Sequence, residues 1–134
     1  MKTLFSNEKH LAALLLRIGF GFFIVIGHGF MKLQGLIDGH IQFPGVLGLS
    51  PAISLGLATF AEFVAGIAVL IGFKTRLASI PLIITMLVAI LIAHAGDPLF
   101  STNGPAKEPA FMYLIGFIGT FLLGSGKYSV DSLI

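Results

Sequence analysis

The chain of 134 residues has no cysteine and no tryptophan, and only 10% of its residues are charged. Without cysteine it can build no disulfide, thiolate nucleophile, zinc–thiolate site or iron–sulfur centre of its own. Without tryptophan, anchoring at a membrane interface falls to Tyr113, Tyr128 and some of the thirteen phenylalanines. Soluble domains carry about 25% charged residues. A 10% charge content beside 56% hydrophobic residues therefore places this chain among membrane proteins. The net charge of +2 comes from singly scattered basic residues, with no basic stripe interleaved with aromatics. Nucleic acid is thus excluded as a partner.

What is present is a series of apolar runs. A helix needs about 20 mostly apolar residues to span a bilayer. Four such runs are expected to be helical, at 11–30, 52–73, 77–95 and 109–124, within a single domain covering 1–134. Pro109 suits a first helical position. Pro81 either occupies the first turns of the third run or kinks it. The first run follows Lys2 and Lys9 like a secretory signal, but it is long, contains Arg17 and lacks a small-x-small cleavage site, so a retained helix is expected. With the N-terminus inside, five basic residues (Lys2, Lys9, Lys74, Arg76, Lys127) are cytoplasmic and two (Lys32, Lys107) are not. This bias predicts an all-α, four-transmembrane-helix bundle, N-in/C-in, as a multi-pass protein of the cell inner (plasma) membrane. The connection 33–50 holds Phe43, Pro44, Val46, Leu47 and Leu49, apolar enough to dip into the interface. Glycines and alanines along the runs provide surfaces for close helix packing.

Ionisable residues within such runs cost about 2.5–3.5 kcal/mol each at the bilayer centre, so they carry information. His28 and Lys32 stand four apart and share a helical face. Arg17 precedes His28 by close to three whole turns, which extends the stripe. Glu62 lies mid-way along the second run, at an expected depth of roughly 6–8 Å from Arg17. Thr59 and His94 lie on the outer side of Glu62. The expectation is a polar column with Arg17 inside and paired to Glu62, His28 and His94 above, and Lys32 near the outer mouth.

A histidine of near-neutral pKa beside a carboxylate can exchange protons at a bound redox ligand. A quinone or quinol suits that place, with an apolar ring, two carbonyl acceptors and a lipid-soluble tail. Glu62 and His28 are the candidates for proton handling, and Arg17, Lys32, Thr59 and His94 for ligand binding. No metal site is assigned: His28, His94 and Glu62 are the candidate ligands for iron or zinc, but spacing gives them and a bis-histidine haem little support. Two non-redox readings compete. One is a structural or assembly protein whose ion pair fixes helix register. The other is a small-solute or metal-ion transporter, against which stands the lack of an inverted repeat.

The stretches "LLLRIGFGFFIVIGHGFMKL" and "LATFAEFVAGIAVLIGFKTRLAS", then His94 and the closing "GKYSVDSLI", together resemble the DoxX family of small four-helix membrane proteins. The resemblance covers nearly the whole chain in order and spacing. It implies a membrane subunit of an oxidoreductase system that passes electrons to or from quinones, with Arg17, His28, Lys32, Glu62 and His94 at the family's recurrent polar positions. Electrons would then be carried by a bound quinone or a redox-enzyme partner subunit. A homo-oligomer in the lipid bilayer is compatible with the sequence.

Overall fold

The computed structural model describes residues 4–134, and Lys2, which entered the topology argument, lies outside them. Among the described residues there is no strand, and four helical rods account for the fold. We label as α1 the rod formed by Leu4–Ile24, a π-helical turn Val25–Gly29 and Phe30–Asp38. Rod α2 comprises Pro51–Thr59, π-helical Phe60–Ala65 and Gly66–Ile71. Rod α3 comprises Thr75–Val88 and π-helical Ala89–Ala93, and α4 is Glu108–Leu123. A 3-10 turn, Val130–Ser132, follows. Three rods are long and apolar enough to cross a membrane, over Asn7–Asp38, Pro51–Ile71 and Thr75–Ala93. The fourth has 16 residues and is shorter than these.

Local chemistry explains the ends. The first rod runs to Asp38 rather than stopping at Phe30, because no proline intervenes before Gly39, whose φ of 72° closes it. The second starts at Ser50, whose hydroxyl accepts the Ile53 N–H at 3.3 Å, followed by Pro51 at the first helical position. It ends in a paired turn: Phe73 N–H donates to Ala68 O at 2.8 Å and Gly72 N–H to Val69 O at 3.1 Å. Pro81 lies inside α3, and its carbonyl accepts the Thr85 hydroxyl at 2.8 Å. Arg76 donates to the Phe121 and Leu122 carbonyls at 3.1 and 3.3 Å, completing the C-terminus of α4.

The core joins all four rods through Ile24, Val25, Val69, Leu82, Met86 and Phe117. Leu15, Phe23, Leu91 and Ile115 point outward and are exposed, as apolar residues facing lipid would be. Both ends of the described chain meet at one end of the bundle, where Lys127 Nζ donates to Asn7 Oδ1 at 2.6 Å. We call this the terminal end. The connections 39–50 and 94–107 occupy the opposite, loop end.

Candidate functional site

The site follows from how closely α1 and α2 approach. A Cβ built on Gly29 would stand 2.7 Å from the Glu62 carbonyl, so glycine is needed for the two backbones to touch there. A Cβ on Gly21 would meet Leu70 at 3.1 Å, which fixes the antiparallel register further down. In that register Glu62 is level with Gly29, whereas Arg17 is level with Gly72. About 18 Å of helix rise separate Gly29 from Arg17.

The expected Arg17–Glu62 pair is therefore not made. Arg17 is 1% exposed and donates to the Tyr128 carbonyl at the terminal end. Gly72, at a φ of 77°, lets its guanidinium and Ser129 converge. The partner of Glu62 is Lys32, whose Nζ lies 2.5 Å from Oε2. Helical side chains lean towards their N-terminus, so Lys32 reaches back over the Gly29 turn onto the carboxylate. Glu62 is nearly buried, while Lys32 keeps partial exposure.

This pair borders a cavity of about 540 Å³ at the loop end. His28 also lines it, with its ring edge-on to Tyr113 at 5.4 Å between centroids. His94 lines it from the end of α3, and its Nδ1 is 2.6 Å from Asp97 Oδ2. Ionised, that carboxylate accepts from Nδ1–H and leaves Nε2 free. Thr59 does not line the cavity. It is buried and its hydroxyl donates to Leu55 O at 2.8 Å, within its own helix. Among the described residues no three His, Asp or Glu side chains come together as a metal site, so His28, His94 and Glu62 do not converge on one point.

Each π-helical turn bears on the site: His28 lies in the first, Glu62 in the second, and His94 caps the third. Such turns change the direction in which side chains leave a helix and are frequent at functional sites. They also break the simple 3.6-residue stripe along α1. Sequence reasoning missed Tyr113, expected as an interfacial anchor, and Asp97 in the connection 94–107. The isolated polar ring in the apolar run of α4 was the available signal for Tyr113. The apolar connection 39–50 supplies Phe43, Val46 and Leu49 to the cavity wall, held by Val46 N–H donating to Ser54 Oγ at 3.0 Å.

Several rods long and apolar enough to cross a membrane define a multi-pass helical membrane protein. A family model described as DoxX matches residues 12–95, and the chain belongs to that family. It is also similar to a Bacillus subtilis (strain 168) protein named "Putative oxidoreductase CatD", with 28% identity over 129 residues, covering 96% of this chain and 91% of that one. No solved structure matches it.

Proposed function

We propose that this protein is a quinone- or quinol-binding membrane subunit of an oxidoreductase system, crossing the inner membrane four times with both termini in the cytoplasm. The oxidoreductase assignment draws on the named relative. Even crossing is supported by the Lys127–Asn7 contact, and orientation by Lys9, Lys74, Arg76 and Lys127 at the terminal end.

The observation that carries the ligand assignment is the Lys32–Glu62 pair on the wall of the loop-end cavity. The volume is within the roughly 300–1,000 Å³ range of small-molecule sites. Most of its wall is apolar and suits a flat ring, while Lys32, His28, Tyr113 and His94 provide donors for carbonyl oxygens. The residues therefore fit a quinone. Bound there, such a group would supply the electron-transfer chemistry that a cysteine-free chain lacks.

The chain's own part is binding and proton handling. Lys32 Nζ, anchored by Glu62, retains further N–H bonds to offer into the cavity. Glu62 and His28 place two proton-exchanging side chains on the same wall. Asp97 orients the His94 ring. A competing assembly role draws on the close seat of Gly29 against Glu62, which would make the pair a register lock.

One experiment separates them. Wild type and Glu62→Gln are purified in mild detergent and quinone per chain is measured in organic extracts. We expect near-stoichiometric quinone in the wild type and its loss in a mutant that still folds. Equal trace amounts in both would leave the assembly role as the better account.

A further inference from the structure

The frame of the cavity is uneven. On one flank, α1 and α4 are bridged by the His28–Tyr113 ring contact. On the other, Pro51–Thr59 of α2 packs on Phe30–Asp38, and α2 meets Thr75–Val88 of α3 through Phe60–Ala65, with no comparable packing of Pro51–Thr59 on α3. The rods thus part like a wedge towards the loop end.

Leu57 of α2 and Ile84 of α3 line the cavity at this parting, yet they are 56% and 55% exposed. A side chain that is both cavity wall and outer surface marks a place where the cavity meets its surroundings. Leu57 lies about 9 Å of helix rise below the start of α2, and Ile84 about 14 Å below the end of α3. In a spanning chain those depths face hydrocarbon, not water. Val88 and Ala89 continue the edge on α3, and none of these four side chains can form a hydrogen bond. Of the polar groups on the wall, Glu62 is buried and Lys32 partly so, whereas His28 is exposed.

We propose that the cavity opens sideways to the bilayer through a slot between α2 and α3, framed by Leu57 and Ile84. Its ligand is a membrane-dissolved amphiphile: a carbonyl-bearing ring at Lys32 and His28, with a hydrocarbon tail lying in the slot. This rests on the quinone reading above and adds the route and the tail requirement.

The test uses the full chain in lipid nanodiscs, with long-tailed ubiquinone and the tail-less benzoquinone head group as probes. The double variant Leu57→Trp/Ile84→Trp fills the slot. Val64→Trp places the same bulk on an exposed α2 position that does not line the cavity. We expect the double variant to weaken long-tailed binding by about tenfold or more while tail-less binding changes by less than about twofold. Val64→Trp and the widening variant Leu57→Ala/Ile84→Ala should bind both probes like wild type. Unchanged long-tailed binding in the double variant would overturn the slot and leave the cavity reading standing. Equal loss of both probes, or equal loss with Val64→Trp, would also overturn it. Absence of binding of either probe to wild type would overturn the quinone reading itself, and the slot with it.

Discussion

The two ends of the bundle hold charged side chains in opposite ways. At the terminal end most contacts are with backbone, although Lys127 also reaches Asn7 and Asp131 accepts the Ser125 hydroxyl. Arg17 donates to the Tyr128 carbonyl, Arg76 to those of Phe121 and Leu122, and Asp131 accepts the Lys74 N–H. These contacts satisfy helix termini and tie the closing segment down. At the loop end, by contrast, side chain meets side chain: Lys32 with Glu62 and His94 with Asp97, with Lys32, Glu62 and His94 on the cavity wall. A charge spent on a carbonyl closes a structure, whereas a pair beside a cavity keeps donors and protons to offer. Both ends thus meet the expense of burying charge, but among the described residues only the loop end pairs ionisable side chains with each other.

The sharpest way to break that contrast is to prevent the loop-end pair from forming. Gly29→Val places a side chain where even a Cβ would stand 2.7 Å from the Glu62 backbone. Such overpacking should cost about 3 kcal/mol or more, read as a fall in thermal midpoint in detergent. Gly27→Ala, with open space at its Cβ, should be neutral or raise stability by up to about 1 kcal/mol. Similar losses in both would mean that glycine serves α1 by some means other than contact with α2.

Arg17→Met tests the other end. It strips the Tyr128 carbonyl of its donor but also removes a buried Nε that has no partner among the described residues. We expect a loss of about 1–3 kcal/mol and faster proteolysis of the closing segment. Quinone content should stay near that of wild type. Loss of quinone from a folded Arg17→Met protein would restore Arg17 to the ligand site and dissolve the division between the ends.

That division was only half legible in the sequence. The helical runs were plain from hydrophobicity, and the expensive residues Glu62, His28 and Lys32 stood out by their cost within those runs. Which of them meet was not legible, because register depends on where glycines let backbones touch. Gly29 against Glu62 sets Lys32, not Arg17, beside the carboxylate. The π-helical turns further defeat counting by 3.6, since an added residue per turn re-aims all that follows. Tyr113 and Asp97 gave no periodic signal at all. Their roles arise from packing between elements distant in sequence.

The smallest expected effect sharpens the contrast through pH. The Lys74 N–H at 2.9 Å, and then the Ser125 hydroxyl, hold the Asp131 carboxyl below its ordinary range. A depressed folded value means that the stability it contributes is present above the unfolded pKa near 4 and is lost as pH falls through the folded one. Acidification below about pH 4 should therefore loosen the closing segment, read as faster cleavage by an acid-active protease. Asp131→Asn keeps an oxygen for the Lys74 N–H but cannot titrate, so its cleavage rate should vary less across that window. If the variant kept the full acid response, another carboxylate would have to govern the terminal end.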